Sequence, residues 1–423
     1  MRAWPTSGAA AAHALFGRRS TLVLGLALFV ALALIRTVVV VGVGDRLAQS
    51  RPEASLKLGR DSAEVLASAA LDAWQAKDAK RTSRYALAAL DRSPLNVRAL
   101  RMRGLGLDSL GMAAQAESVM QFAGTRGWRD DGVQAWLMRD DIVKHRFDDA
   151  FRHADALARR RTELWPVLFL LFEVGAGDPD SSKAIAERLG SRPHWRESFL
   201  ESLALSKQKD PAVARMFQLV DQGRAPLTGS ELSDFPKRLA GQGRYRDAFA
   251  TLLSYRNGRA LTGSPFDGGF TDRQGVAPFA WARLGKPGAS LDMDPAPDRA
   301  SSNALRVEYD GYSAADLMQQ ALAPQPGDYL LTGEVRPQDG DAGILAWQAR
   351  CAADGKVLAS VSAAPGATPN TWSRFAVRFT VPAQGCDGVW LVLTETPRDH
   401  PSSNVTWYAN LAVRPASAAG VGK

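Results

Sequence analysis

Histidine and cysteine are scarce in this chain: five and two among 423 residues. With so few imidazoles and thiols, a His-centred mechanism would need an improbable convergence, and two cysteines cannot build a zinc site. No Gly-x-Ser-x-Gly elbow, phosphate loop, His-Glu-x-x-His or Cys-x-x-Cys occurs. The carboxylate pairs Asp130/Asp131 and Asp140/Asp141 are adjacent, so on a helix they diverge by about 100° and share no site. The expectation is a protein that is not an enzyme, with no catalytic residues. His145 and His153 lie eight apart with no Glu-bearing metal motif between them, and His194 stands alone, which suits surface or capping roles.

Only one long apolar run exists, Thr21 to Gly44, interrupted by Arg36 alone. As a helix at about 1.5 Å per residue it reaches roughly 36 Å, enough to cross a hydrocarbon core of about 30 Å. Arg18 and Arg19 precede it and no acid does. Basic flanks stay in the cytoplasm, so the chain beyond Gly44 is expected on the far side. A cleaved signal peptide is the competing reading, with Gly42 and Gly44 supplying its small-residue site. The run is long for that, and a retained anchor in a bacterial inner membrane is preferred. The N-terminus is then cytoplasmic and the bulk periplasmic. Arg36 lies two thirds along, where its stem can snorkel to the interface.

Charge is unevenly spread. From Gly263 onward 13 Lys and Arg stand against 16 Asp and Glu, a net of −3, which leaves +11 on the remainder, with 39 against 28. A polymer outside the cytoplasm is not nucleic acid, so no nucleic-acid partner is expected. Phospholipid headgroups or an acidic polysaccharide fit the basic part better, as does a plain solvated helical surface. Cys351 and Cys386 both fall in the C-terminal part, and in an oxidising compartment they read as a disulfide closing a loop of ~35 residues.

From Asp45 to about Tyr255 apolar residues recur at three and four, the helical period. A longer period overlies it. Thr82, Ala116, Ala150 and Ala184 are each 34 apart, Ala214 follows after 30, and Ala248 after 34 more. The stretches LGMAAQAESVM (from Leu110), KHRFDDAFRHA (from Lys144) and GQGRYRDAFATLL (from Gly241) share a layout around them. This resembles the tetratricopeptide (TPR) repeat, a 34-residue helix-turn-helix unit. Pro94, twelve past Thr82, and Gly104, twelve before Ala116, match that pattern. Trp128, Thr162 and Arg196 depart from it where Pro is usual, as do Met138 and Phe172 where Gly is usual. The resemblance implies helix pairs stacked into an α-solenoid whose concave face holds a protein partner. An Ala-rich helical bundle is the alternative. Trp128, Trp136, Trp165 and Trp195 are expected to pack between helices.

Near Asn257 the character changes, and NGRALTGSPFDGGF is a breaker. Beyond it come stretches with period-two alternation: Leu305, Val307, Tyr309; Tyr329, Leu331, Val335; Leu345, Trp347, Ala349, Cys351; Phe375, Val377, Phe379, Val381; and Trp407, Ala409, Leu411, Val413. About eight strands with turns between them suggest an antiparallel β-sandwich.

The order of features resembles the jelly-roll carbohydrate-binding modules of the CBM4/9-like class. It rests on Phe266-Asp267-Gly268-Gly269-Phe270, Trp281, Leu305-Arg306-Val307, Pro326-Gly327-Asp328-Tyr329, Trp372 with Phe375 and Val381-Pro382, and Trp407-Tyr408-Ala409-Asn410-Leu411. The resemblance implies glycan binding. Sugar rings stack on flat aromatics, while amides, carboxylates and Arg bond their hydroxyls. The candidate residues are Trp281, Tyr312, Trp347 and Trp407, with Trp390 and Tyr408 as further aromatics, and Gln348 and Arg350 on the other face of their strand. Such modules also carry a structural calcium; Asp267 and Asp272 are its candidates, although Asn410 stands where an Asp is common. No other cofactor is expected.

The expected organisation is multi-domain, α plus β: a cytoplasmic tail (1–20), a transmembrane anchor (21–44), a TPR-like helical domain (45–257), a β-sandwich carbohydrate-binding-like domain (258–415) and a flexible tail (416–423). The expected role is a non-enzymatic scaffold in envelope or exopolysaccharide assembly or export. The alternatives are a protein-binding adaptor with a purely structural sandwich, and an accessory subunit of a polysaccharide-modifying enzyme. The glycan, the protein partner and the oligomeric state are not specified by the sequence.

Overall fold

The computed structural model describes residues 50–285, 287–299, 301–312, 316–339, 344–363, 367–395 and 403–416, with 29, 30, 32, 33, 36, 46 and 47 near the N-terminus. The tails at 1–20 and 417–423 and most of the apolar run 21–44 lie outside the described residues. Five positions of that run are described, all helical, and Phe29, Val30 and Leu32 are 70%, 47% and 57% exposed. Among the described residues no helix is long and apolar enough to cross a membrane.

The chain divides into two compact units, Met1–Arg161 and Thr162–Lys423. The division falls inside the helical region rather than at the change to strands near Asn257.

The first unit contains α1 (Pro52–Lys57), α2 (Ala63–Gln75), α3 (Ala79–Arg92), α4 (Val97–Ser109), α5 (Ala113–Arg126), α6 (Asp131–Val143) and α7 (Phe147–Ala158). Helices α2 and α3, α4 and α5, and α6 and α7 pack as hairpins. Asp78, Asn96 and Asp130 cap helices by accepting from the backbone N–H of Arg81, Ala99 and Val133. The second unit opens with α8 (Trp165–Ala176), α9 (Pro179–Leu189), α10 (Arg196–Leu205), α11 (Asp210–Gln222), α12 (Glu231–Gly241) and α13 (Tyr245–Ser254). Phe169, Phe172, Trp195 and Phe199 form an aromatic cluster there, with ring centroids 5.0 to 6.4 Å apart. Arg196 and Glu231 form a buried two-point ion pair at 2.7 and 2.8 Å, and the guanidinium also donates to the carbonyls of Leu189 and Ala225. Every charge is therefore answered, as burial demands. Trp136 and Trp195 are packed as expected, whereas Trp128 is 45% exposed.

The small residues of the 34-residue period have a common structural place. Thr82, Ala116, Ala150 and Ala248 are each the fourth residue of α3, α5, α7 and α13, and each is fully buried. Five residues earlier the backbone is left-handed every time: Lys77 (φ 59°), Gly111 (77°), His145 (56°) and Gly243 (79°). In all four turns the next residue donates its N–H back to the carbonyl five positions before it: Asp78 to Ala73, Met112 to Leu107, Arg146 to Asp141 and Arg244 to Leu239. This is the Schellman helix ending, which satisfies carbonyls that the helix cannot. The phase slips at Ala184 and Ala214, the sixth and fifth residues of α9 and α11.

Ten strands follow: β1 (Ala282–Arg283), β2 (Ala289–Pro295), β3 (Asn303–Tyr309), β4 (Asp316–Leu322), β5 (Gly327–Asp339), β6 (Leu345–Cys351), β7 (Val357–Ser362), β8 (Ser373–Val381), β9 (Val389–Glu395) and β10 (Asn404–Pro415). They form two five-stranded antiparallel sheets, ordered β1-β4-β9-β6-β7 and β2-β3-β10-β5-β8. The core between them takes Leu305, Val307 and Tyr309, Leu345, Trp347, Ala349 and Cys351, and Phe375, Phe379 and Val381, as the alternation predicts. Strand β10 departs from it. Its register shifts between Ala409 and Ala412, and Asn410 there is left-handed (φ 52°). This bulge turns the strand over. Tyr408, Leu411 and Val413 enter the core, while Trp407 and Ala409 pack outside it with Ala296, Ala304 and Trp372. Cys351, at the end of β6, is disulfide-bonded to Cys386, just before the neighbouring β9.

Helix α13 sits on the sandwich. A Cβ at Gly388 would come within 2.3 Å of the Tyr245 ring, which meets Trp390 edge-on at 6.0 Å. The next residue, Arg246, donates to the carbonyls of Pro324 and Cys386 and pairs with Asp387 at 3.1 Å. Phe249 meets Phe279 at 5.1 Å. These contacts join the last helices and the strands into one unit.

Candidate functional site

The structure distributes the candidate ligand residues over several places. Trp347 is 1% exposed on the inner face of β6, packed between Trp281 and Tyr408. It is a core residue, and its ring is not available to a ligand. Tyr408 is likewise buried. Trp407 is 8% exposed on the outer face of the second sheet, with its indole N–H on Gln338 at 2.7 Å. Tyr312 lies in the β3–β4 connection, 79% exposed, with its backbone N–H donating to Asp310.

Gln348 and Arg350 come together on the outer face of the first sheet, as their alternation with Trp347 requires. Arg350 grips Asp316 of β4 with two bonds of 2.8 and 2.9 Å, and its Nε donates to Gln348. Gln348 reaches Ser360 of β7 at 3.4 Å. Trp390, opposite Arg350, is half-buried beneath Tyr245. This face is polar but its groups are committed to one another, and α13 closes one end.

Trp281 is different. It lies half-buried on the wall of a depression of about 460 Å³, formed by the loop before β1, by β1 and by Met293 of β2. Its indole N–H donates to the carbonyl of Asp267 at 3.1 Å, and its ring is backed by Phe270 at 5.6 Å and Trp347 at 5.5 Å. The ring is therefore fixed before any ligand arrives. Asp272 and Arg283 face each other at 3.6 Å on the rim with 67% and 46% of their side chains exposed, and Gln274 is exposed beside them. Its volume lies within the 300–1,000 Å³ usual for small-molecule sites, and its lining is largely polar, with Asp272, Arg273, Gln274 and Arg283 beside the single aromatic Trp281. Arg283, Gln274 and Met293 had no signal in the sequence; only the folding of the loop onto β1 and β2 brings them to Trp281.

The carboxylates named as calcium candidates are engaged within the protein. Asp267 turns one oxygen to the N–H and hydroxyl of Thr271 and the other to the N–H of Arg273. Asp272 faces a guanidinium, and Asn410 donates to Glu334. Among the described residues no three His, Cys, Asp or Glu gather as a metal cluster.

No protein-family model matches the chain, and no curated protein matches it. Solved structures resemble part of it. One is a CBM4 domain, at TM-score 0.28 and 13% identity, covering 37% of this chain and 99% of that one. Another is the CBM22-1 xylan-binding domain of Paenibacillus barcinonensis Xyn10C, at TM-score 0.23 and 13% identity, covering 32% and 85%. A third is a family 16 carbohydrate-binding module, at TM-score 0.23 and 18% identity, covering 32% and 89%. With scores this low, the functional reading rests on geometry alone.

Proposed function

We propose that the sandwich binds carbohydrate at the Trp281 depression, within a non-enzymatic, membrane-anchored scaffold for envelope or exopolysaccharide assembly or export. The observation that carries the glycan half is the pinned, half-buried indole with an exposed carboxylate, guanidinium and amide on its rim. A fixed flat ring takes the C–H face of a sugar without losing rotamer freedom on binding, and the rim groups bond its hydroxyls.

The anchor is supported by the helical, exposed Phe29, Val30 and Leu32, whose apolar surface suits lipid. The disulfide supports an oxidising, periplasmic compartment. The recurrent left-handed turns support a tetratricopeptide-like arrangement, and with it a protein partner for the helices.

The test is affinity electrophoresis of the full-length chain in nanodiscs through gels containing xylan, a β-glucan or alginate. Retardation by one of these polymers is expected, with at least a tenfold loss in Trp281→Ala. Arg283→Ala, which touches the rim alone, is expected to weaken it several-fold without changing thermal unfolding. No retardation by any polymer rejects the glycan reading. It leaves the adaptor reading, which the seating of α13 on the sandwich favours by giving the strands a structural task.

A further inference from the structure

An arginine recurs where the second helix of each pair ends. In the first unit these are Arg92, Arg126 and Arg160, each 34 residues apart, at the ends of α3 and α5 and just past α7. Arg92 is answered by Asp61 and Arg160 by Asp131, while Arg126 lies over the Phe122 ring at 5.5 Å. A cation at a helix C-terminus meets the negative end of the helix dipole, which accounts for the position. In the second unit the same place is taken by Arg192, Arg224 and Arg256, each 32 residues apart and just past α9, α11 and α13. All three are exposed, and among the described residues none of their guanidiniums is paired with a carboxylate.

Their side chains bond to neutral oxygens instead. Arg192 donates to the carbonyl of Pro226 at 2.9 Å and to the Thr228 hydroxyl, Arg224 to the carbonyl of Gly190 at 3.4 Å, and Arg256 to that of Gln222 at 3.2 Å. These crossed bonds put the three on one edge of the helices. A guanidinium carries five N–H groups, so most remain to be given. The row continues towards the strands. Arg259 is exposed in the 3-10 turn Gly258–Leu261, and Arg273 donates to the carbonyl of Ala260 in that turn at 2.9 Å. Arg273 also lines the Trp281 depression. The acids beside the row are engaged: Glu187 with Arg188 at 3.1 Å, Glu197 with the Ser230 hydroxyl, and Asp221, 4% exposed, with the backbone N–H of Arg256. The edge therefore keeps a positive field, and the field ends at an indole.

We infer that the edge formed by Arg192, Arg224, Arg256, Arg259 and Arg273 holds an anionic polysaccharide whose chain runs into the Trp281 depression. Guanidiniums bond carboxylates through charge-assisted, often paired N–H donors, and a polymer with acidic groups along its length meets them in turn. A neutral glycan would leave the row idle. A bilayer surface would answer the charge but has no use for a depression with a fixed indole at the row's end. The inference rests on the glycan reading of that depression and names the class of glycan.

The test uses the full-length chain in phosphatidylcholine nanodiscs, with biolayer interferometry on immobilised alginate and on an immobilised neutral β-glucan. Alginate is expected to bind about tenfold more tightly and to lose that advantage between about 50 and about 500 mM NaCl. Arg224→Gln with Arg256→Gln is expected to weaken alginate about tenfold. Arg259→Glu, whose guanidinium has no bond among the described residues, is expected to weaken it several-fold without changing thermal unfolding. Arg92→Gln with Arg126→Gln removes the same charge from the first unit and is expected to leave alginate binding unchanged. Equal affinity for the two polymers overturns the inference, as does wild-type alginate binding in the row variants or equal weakening by the first-unit pair. Binding to phosphatidylglycerol vesicles in place of alginate overturns it in favour of a lipid surface. Neutral β-glucan binding that Trp281→Ala abolishes, with no advantage for alginate, removes this inference and spares the glycan reading. Alginate binding that needs the row but survives Trp281→Ala removes the glycan reading of the depression and leaves the row as the site.

Discussion

His145 and Lys77 do a glycine's work. Both are left-handed at the turn where Gly111 and Gly243 stand in the other copies, and an L side chain there strains the backbone by about 1 kcal/mol. His145→Gly is therefore expected to raise the urea midpoint of the first unit, by about 0.5–1 kcal/mol in stability, followed by circular dichroism. The periodic small residues were readable in the sequence, but these turns were not, because neither His nor Lys announces a positive φ. Asp234 illustrates the reverse. Burial, reinforced by Glu201, Glu197 and Glu231, raises its carboxyl to about 6, although Lys237 opposes this. One of its oxygens is buried without a partner. The folded state holds the proton more tightly than the unfolded state does, so this group's contribution is full below pH 3.8 and is lost as pH rises toward 6. Asp234→Asn is expected to flatten stability between pH 4 and 6 and to gain about 1–2 kcal/mol at pH 7, measured by urea unfolding across that range.

At the scale of elements, most strands followed from alternation alone, since one face of each must enter a core. Strand β10 did not. The bulge at Asn410 reverses its faces, and nothing in NVTWYANLAVRP marks where two residues oppose one. Trp407 was accordingly grouped with Leu411 and Val413, from which the fold separates it. Trp347, a candidate sugar platform, shares its period-two face with Leu345, Ala349 and Cys351 and is buried in the core with them, so it cannot serve as one. The candidate site was half readable: Trp281, Asp267 and Asp272 are near in sequence, whereas Arg283 and Met293 join them through strand placement. The seat of α13 on β9 was invisible, being a contact across some 140 residues. Gly388→Ala tests it. The added methyl collides with the Tyr245 ring, and a loss of about 2 kcal/mol is expected in thermal unfolding. Tyr245→Ala in the same background should recover much of the strain.

For the whole molecule, the two compact units meet within the helical region and not at the change from helices to strands. The boundary lies between α7 and α8, because the later helices pack with the sandwich through Tyr245, Arg246 and Phe249. The cysteine pair was readable from its confinement to one part of the chain. Closing a loop of ~35 residues, it is worth about 4 kcal/mol in the chain-entropy model. Reduction, or Cys351→Ala with Cys386→Ala, is expected to lower the transition of the second unit by that amount and leave the first unit's unchanged, as resolved by calorimetry.

The seating of α13 also bears on how this protein can be dissected. A recombinant fragment trimmed at the helix-to-strand change would uncover the Trp390 edge and strip Asp387 of its cation. Such an excised piece is expected to be sticky and to mislead any binding assay, whereas a cut ahead of Thr162 keeps the seam intact.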